Sequence, residues 1–103
     1  MKHDVIVVGG SYAGMAAALQ LLRARRSVLV VDAGRRRNRA AAHSHGFLGQ
    51  DGADPADIAR TARRQLEAYA TLAWHDGEAI SASGEKDAFS VTLGDGSEHR
   101  ARR

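Results

Sequence analysis

Two apolar runs, separated by a glycine-rich turn and a helical pattern, constrain the fold of this chain more than any other feature. They lie in the stretch VIVVGGSYAGMAAALQLLRARRSVLVVDAG, residues 5 to 34. Val5 to Val8 and Val28 to Val31 have the continuous, largely β-branched composition of strands buried on both faces. Between them, apolar residues recur at three- and four-residue spacing, which predicts a helix over Ala13 to Arg25. The stretch therefore predicts a βαβ unit, whose right-handed crossover makes the two strands parallel.

The middle of the chain predicts a long loop and a second helix. Ala33 to Gly52 contains an arginine run and scattered glycines without a sustained period, and loops of this length are usually functional or disordered. Asp54 is expected to cap a helix that carries Pro55 in its first turn and continues to about Thr71. This order extends the alternation of strands and helices begun at Val5.

The last third of the chain predicts strands. Leu72 to Ser83 and Ala88 to Leu93 have strand composition around a polar turn, and the turn at Gly94 to Gly96 predicts a third short strand. We therefore predict one α/β domain over residues 1 to 103, a Rossmann-like βαβ unit with a parallel sheet core and a C-terminal antiparallel β-meander. A length of 103 residues fits one small domain with a modest core.

The turn between the first strand and the first helix has the chemistry of a pyrophosphate site. Backbone N–H groups and the positive end of the helix dipole converge where a strand enters a helix through closely spaced glycines. Residues 9 to 14 read GGSYAG where G-x-G-x-x-G is expected, so Ser11 replaces the second glycine. Serine narrows the space for phosphate, but its hydroxyl can donate to a phosphate oxygen. Gly14 permits close packing of the helix on the sheet.

Asp32 stands where an acceptor for ribose hydroxyls belongs. It ends the second strand, 18 positions after Gly14. A carboxylate there favours an unphosphorylated ribose, so FAD or NAD is preferred over NADP. The alternative is a tight turn that needs glycine only for its geometry, followed by an aspartate that caps a loop. We favour dinucleotide binding because strand, turn, helix, strand and acid occur together in register.

Composition limits the other function classes. The net charge of +3 and the pI of about 10.0 suggest nucleic-acid binding, but the arginine clusters are small and five dispersed aromatic residues make no stacking platform. We therefore do not expect nucleic acid as a partner. With no cysteine, these residues contain no disulfide, thiolate metal site or cysteine nucleophile. No stretch resembles a signal peptide or a membrane span, so a cytoplasmic location and no membrane contact are expected.

The motifs together resemble a known family. The quoted stretch, the loop RRRNRAAAHSHGFLGQDG and the helix DPADIARTARRQLEAY resemble the N-terminal FAD-binding region of thioredoxin reductase-like flavoproteins, in the pyridine nucleotide-disulfide oxidoreductase superfamily. The resemblance covers essentially the whole chain. It implies FAD, with the pyrophosphate on Gly9 to Gly14 and the adenosine ribose on Asp32. Ala18 matches an alanine of the family pattern. Arg25 stands where a glycine is expected near the helix end, so we expect a differently built C-cap.

The resemblance also brings the loop after the second strand near the flavin. It implies that Asn38 or Arg39 contacts the cofactor and that His45 approaches the isoalloxazine ring, whereas a solvated loop is the alternative for His43 and His45. That histidine pair lacks further ligands of evident spacing, so no metal site is expected. The complete set of implied cofactor-binding residues is Gly9, Gly10, Ser11, Tyr12, Ala13, Gly14, Asp32, Ala33, Asn38, Arg39 and His45.

Several side chains near the motif have simpler structural explanations. Tyr12 is expected to pack on the following loop rather than flank the cofactor. Trp74 is expected in the core rather than against a flavin. The helix arginines Arg60, Arg63 and Arg64 predict a solvated face, and the histidines His3, His75 and His99 are expected at the surface or at strand edges.

Some parts of the related enzymes are absent from these residues. Full-length relatives continue into a nicotinamide-binding domain and a returning segment that completes the FAD site, and true thioredoxin reductases carry a Cys-x-x-Cys. The resemblance therefore implies a truncated FAD-binding portion of an NAD(P)H-dependent flavin oxidoreductase. NAD(P)H would serve as hydride donor only if that further domain were supplied, by a complementing chain or a homo-oligomer. Two alternatives remain: a non-redox module for NAD or ADP, and a non-catalytic assembly or nucleic-acid-binding protein.

Overall fold

The computed structural model describes residues 2–34 and 55–103 of the chain. Within these ranges it contains two helices and seven strands. The helices are α1 (Tyr12–Arg23) and α2 (Pro55–Glu67). The strands are β1 (Lys2–His3), β2 (Val5–Val8), β3 (Val28–Asp32), β4 (Leu72–Asp76), β5 (Ala79–Glu85), β6 (Ala88–Leu93) and β7 (Glu98–Ala101). Among the described residues, no helix has the length and apolar composition needed to cross a bilayer.

A parallel sheet forms the centre of the structure and confirms the predicted βαβ unit. Its strand order is β2-β3-β4, with Val5 opposite Val28 and Val28 opposite Leu72. Helix α1 connects β2 to β3, and α2 precedes β4. The carboxyl ends of all three strands therefore lie at one edge of the sheet. That edge is where open parallel sheets bind their ligands.

Strand β3 is buried on both faces, as its continuous apolar composition predicts. Val28 and Val30 belong to the core between the sheet and the helices, whereas Leu29 and Val31 belong to the core between the two sheets. Both pairs follow from the alternation of side chains along a strand. The helix-side core consists of Met15, Ala18, Leu22, Val28, Val30 and Leu66. The two-sided burial of one strand fixes the layer order: helices, parallel sheet, antiparallel sheet.

Strand β2 is less buried than its sequence predicts. Val5 to Val7 are half-buried, and Val8 is 62% exposed. The reason is position, because β2 is one of the two edge strands of the parallel sheet, whereas β3 lies between two neighbours. On the side of β2 away from β3, the Ile6 N–H donates a hydrogen bond to the carbonyl of Arg103 at 3.0 Å.

The second sheet contains the predicted antiparallel meander and one strand that the sequence did not indicate. Its order is β1-β7-β6-β5, and β5, β6 and β7 are antiparallel neighbours. The stretch predicted as strand from Leu72 to Ser83 divides near Gly77, so that β4 joins the parallel sheet and β5 begins the meander. Strand β1 pairs in parallel with β7, with Lys2 opposite Arg100. Two residues are too few to give a strand pattern.

His3 lies on β1, an edge strand of its sheet, as one of the two expected positions has it, but it is buried and not at the surface. Its exposed fraction is 7%, and its strand lies beside β7, which also carries His99. Burial lowers the pKa of His3, and the nearby His99 lowers it further. A histidine with a lowered pKa is held neutral near neutral pH, because burial penalises the charged form. His75 and His99 are half-buried and their rings lie edge to face, with centroids 5.5 Å apart.

Arg25 ends helix α1 in the conformation that usually requires glycine. Its φ is 64°, in the left-handed region. The N–H of Arg26 donates to the carbonyl of Leu21 at 3.0 Å, and the N–H of Arg25 donates to that of Leu22 at 2.9 Å. These two bonds are those of a Schellman cap. The expectation of a differently built C-cap is therefore wrong: the cap geometry is retained, and arginine occupies its left-handed position.

Replacing Arg25 with glycine is expected to stabilise the chain. A residue with a Cβ in the left-handed region costs about 1 kcal/mol relative to glycine, and Arg25 is exposed. We expect Arg25→Gly to raise the free energy of unfolding by about 1 kcal/mol. Urea denaturation followed by circular dichroism measures it. The control is Arg23→Gly, inside the last turn of α1, which should lower stability by about the same amount. A destabilised Arg25→Gly variant would contradict the inference that Arg25 is strained in the left-handed position of the cap.

Candidate nucleotide-binding site

The turn between β2 and α1 is held against β3 by its backbone. Gly9 has a φ of 111°, and its N–H donates to the carbonyl of Val31 at 2.8 Å. Ser11 is the N-cap residue of α1, and its carbonyl accepts the first intrahelical bond, from the N–H of Met15 at 2.9 Å. The glycine turn therefore brings the start of the helix next to the end of the neighbouring strand.

The start of α1 has donors suited to an anion. The N–H groups of Ala13 and Gly14 precede the first intrahelical bond, so the helix supplies no acceptor for them. The hydroxyl of Ser11 makes no capping hydrogen bond, and the first turn contains no acidic side chain. Together with the positive end of the helix dipole, these groups can hold negatively charged oxygens.

Two glycines permit contacts that no other residue would allow. A Cβ added at Gly14 would overlap the carbonyl oxygen of Gly9, and a Cβ added at Gly10 would lie 2.6 Å from Cγ of Asp32. Helix α1 thus packs directly on the turn, and the turn directly on the acidic side chain. These contacts explain glycine at both positions by geometry alone. The ligand hypothesis therefore rests on the amide donors and on Asp32.

Asp32 ends β3 beside the turn. One carboxylate oxygen, Oδ1, accepts the N–H of Gly34 at 3.0 Å, and the side chain is half-buried. The other oxygen, Oδ2, lies 2.8 Å from the position that a Cβ of Gly10 would occupy. An acceptor for hydroxyls and a set of donors for phosphates are therefore adjacent at one edge of the sheet. These residues fit the ribose and pyrophosphate of a dinucleotide.

A cleft of about 120 Å³ extends from this turn toward helix α2. It is lined by Gly10, Met15, Asp32, Ala59, Arg60, Arg63 and Trp74. The guanidinium of Arg63 lies over the indole of Trp74, with Cζ 4.3 Å from the ring centroid. The sequence placed Arg63 on a solvated helix face. Arg60 and Arg64 are exposed as predicted, but Arg63 is half-buried against Trp74, which itself packs on the helix-side core.

Two other depressions in the described residues lack this combination. A cleft of about 230 Å³ at the amino end of β2 is lined by Asp4, Val5, Leu21, Arg26, Asp87, Arg102 and Arg103. It contains no glycine turn and no helix start. An apolar groove between α1 and α2 is lined in part by Tyr12, whose exposed fraction is 52%. The cleft of about 120 Å³ beside Asp32 is therefore the candidate extension of the site.

The structure brings together eight of the sequence-predicted site residues at the carboxyl edge of β2 and β3: Gly9, Gly10, Ser11, Tyr12, Ala13, Gly14, Asp32 and Ala33. Asn38, Arg39 and His45 lie outside the described residues, as does His43.

Arg63 and Trp74 line the cleft beside Asp32 and were not predicted as site residues. One feature of the sequence could have indicated that Arg63 is not fully solvated. It follows Ala62 directly and precedes Leu66 by three residues, and both of these apolar residues pack in the helix-side core. Across residues 2–34 and 55–103, no three metal-ligating side chains converge.

Comparison with known proteins finds relatives that are named as oxidoreductases or thioredoxin reductases. The model of the family described as FAD dependent oxidoreductase matches residues 4–101. The thioredoxin reductase tcpT of Claviceps purpurea is 38% identical over 93 residues, which are 89% of this chain and 29% of that protein. The thioredoxin reductase aclD of Aspergillus oryzae is 43% identical over 63 residues, 61% of this chain and 20% of that protein.

A solved structure has the same fold over the full length of the chain. The oxidoreductase from Agrobacterium tumefaciens is 55% identical, with a TM-score of 0.97, and the match covers 100% of this chain and 35% of that one. The chain thus spans about a third or less of the lengths of these relatives.

Proposed function

Because the chain belongs to the FAD-dependent oxidoreductase family, we propose that it holds the ADP half of FAD between the turn Gly9–Gly14 and Asp32. One observation supports the proposal most directly. The turn that leads into α1 lies so close to the side chain of Asp32 that a Cβ at Gly10 would lie 2.6 Å from Cγ of Asp32. A pyrophosphate over the helix start therefore places the attached ribose within reach of that carboxylate.

Each part of the turn has its own role in this proposal. The N–H groups of Ala13 and Gly14 donate to pyrophosphate oxygens, and the hydroxyl of Ser11 replaces contacts that a closer backbone approach would give. Asp32 accepts hydrogen bonds from the ribose hydroxyls. Ala33 follows Asp32 with an exposed, small side chain that leaves room beside the ribose. When bound, FAD supplies the capacity to accept and pass on a hydride. The chain binds and orients it.

Asn38, Arg39 and His45 complete the proposed cofactor set. They follow Asp32 in the chain, and the family resemblance carries them to the flavin side of the cofactor. For the whole protein, we propose an NAD(P)H-dependent flavin oxidoreductase similar to thioredoxin reductase. Support comes from the names of the relatives. In that enzyme, further sequence, a complementing chain or a second copy supplies the nicotinamide site.

ADP is the ligand that tests the proposed site, because these residues face only that half of FAD. At a concentration 100 times its dissociation constant, ADP should stabilise the native state by about 2.7 kcal/mol. For a domain of this size that corresponds to a rise in melting temperature of roughly 10 to 20 °C, measured by scanning calorimetry. The control ligand, 2′-phospho-ADP, should bind more weakly, because its extra phosphate would face Asp32.

The same preparations separate the alternative functions. Flavin absorbance in the purified protein supports the FAD proposal. A colourless protein that ADP stabilises, but FAD does not, indicates the non-redox nucleotide module. Salt-sensitive retention on DNA or RNA, with no shift by any nucleotide, indicates the nucleic-acid-binding alternative. Tighter binding of 2′-phospho-ADP than of ADP would contradict the role given to Asp32.

A further inference from the structure

We propose that Arg63, stacked on Trp74, is a positioning residue for the adenine end of the nucleotide and forms the far wall of its site. The inference rests on the proposed function, and it adds a residue from α2 that the glycine turn and Asp32 do not include.

The guanidinium of Arg63 is held in place from several sides. It lies over the Trp74 indole at 4.3 Å from the ring centroid. Its Nε donates to Oε1 of Glu67 at 3.1 Å, and its Nη1 lies 3.7 Å from Oδ1 of Asp76. The Nε1–H of Trp74 donates to the same Oδ1 at 3.1 Å. An arginine fixed by an aromatic ring and two carboxylates loses less conformational entropy on binding than a freely moving one.

The strand order places this pair on the adenine side of Asp32. The phosphates are assigned to the turn after β2, and the ribose to Asp32 at the end of β3. The strands follow the order β2-β3-β4, so a nucleotide laid across this edge continues from β3 toward β4. Trp74 is on β4, two residues before Asp76, which is in register with Asp32. The base attached to that ribose therefore extends toward β4 and α2.

The cleft joins the two halves of this arrangement. Gly10 and Asp32 line it together with Arg63 and Trp74. A planar cation in that position can stack on an adenine ring as it does on the indole. Its unused N–H groups can donate to ring nitrogens, because a guanidinium carries five donors. Arg63, held against Trp74, thus provides a flat surface for stacking and hydrogen-bond donors for a base. It has no role toward the pyrophosphate.

Two probes separate the adenine end from the phosphate end: ADP and inorganic pyrophosphate. Titration calorimetry should show that Arg63→Ala weakens ADP binding by about tenfold and leaves pyrophosphate binding unchanged. Arg63→Lys keeps the charge and loses the plane, and should behave like Arg63→Ala toward ADP. Arg64→Ala is the matched control, since Arg64 is the next residue of α2 and is exposed. It should bind both probes like the unchanged chain.

Trp74 provides a direct spectroscopic reading, because it is the one tryptophan of the chain. ADP should change its fluorescence, whereas pyrophosphate should not. Equal losses of ADP and pyrophosphate binding in the Arg63 variants, or no loss of either, would overturn the inference. If Asp32→Ala weakens ADP binding while Arg63→Ala does not, the inference fails and the proposed function stands. An unchanged chain that binds neither probe would overturn both.

Discussion

Replacing Gly14 with alanine is expected to lower the free energy of unfolding by about 3 kcal/mol. Alanine normally stabilises a helix relative to glycine by up to about 1 kcal/mol. Here, however, the added Cβ would overlap the carbonyl oxygen of Gly9, which is backbone and cannot rotate away. The Gly9 N–H also bonds to Val31, so relief of the overlap must move either the helix or the turn. Both movements disturb the core that α1 forms with β3.

The matched control for this substitution is Gly94→Ala. Gly94 is exposed, and the nearest atom to an added Cβ is a backbone oxygen of Glu78 at 3.8 Å, which is an ordinary contact. Urea denaturation should therefore show almost no change for that variant. Pyrophosphate binding should decrease in Gly14→Ala, because the donors of the turn shift with the helix. A Gly14→Ala variant as stable as the unchanged chain would show that α1 does not start as close to Gly9 as described.

Asp32→Ala is expected to weaken ADP binding by about 30-fold to 100-fold, measured by titration calorimetry. The reason is the loss of a charge-assisted hydrogen bond that a ribose hydroxyl donates to the carboxylate, which is worth about 1.5 to 3 kcal/mol. Stability should change by less than about 1 kcal/mol, because the carboxylate bonds only to the exposed Gly34 N–H among the contacts described. Pyrophosphate should bind as before, since Asp32 is assigned to the ribose.

A double-mutant cycle with 2′-deoxy-ADP tests the atoms involved. If Asp32 accepts the 2′-hydroxyl, removal of that hydroxyl weakens binding to the unchanged chain and has little further effect on Asp32→Ala. Additive losses from the two changes would refute a direct contact. The cycle therefore distinguishes a ribose acceptor from a residue that only shapes the turn.

The elements around the glycine turn could be predicted because their local and long-range requirements agree. The first four residues of β3, Val28 to Val31, are all apolar and lie between two cores, so composition and burial indicate the same structure. The start of α1 is fixed by the turn itself. The prediction of its limits was accurate within two residues. Asp32 then follows in register.

Features that depend on distant contacts could not be predicted. His3 is buried because β7, almost a hundred residues later, pairs with β1. The division between β4 and β5 near Gly77 separates two sheets, and the alternation of apolar residues does not show to which sheet a strand belongs. Arg63 belongs to an arginine-rich stretch of α2 that is typical of a solvated helix face. Only the contact with Trp74, on β4, shows that Arg63 lines the cleft.

The parallel pairing of β1 with β7 has a consequence for the order in which the chain folds during synthesis. Lys2 and His3 have their strand partners at Arg100 and Ala101, so a ribosome has released nearly the whole segment before these partners can meet. The βαβ unit can form early from local contacts. The pairing of β1 with β7 forms later, because it joins residues far apart in sequence. A nascent chain stalled before β7 would therefore expose one side of its first two strands to chaperones.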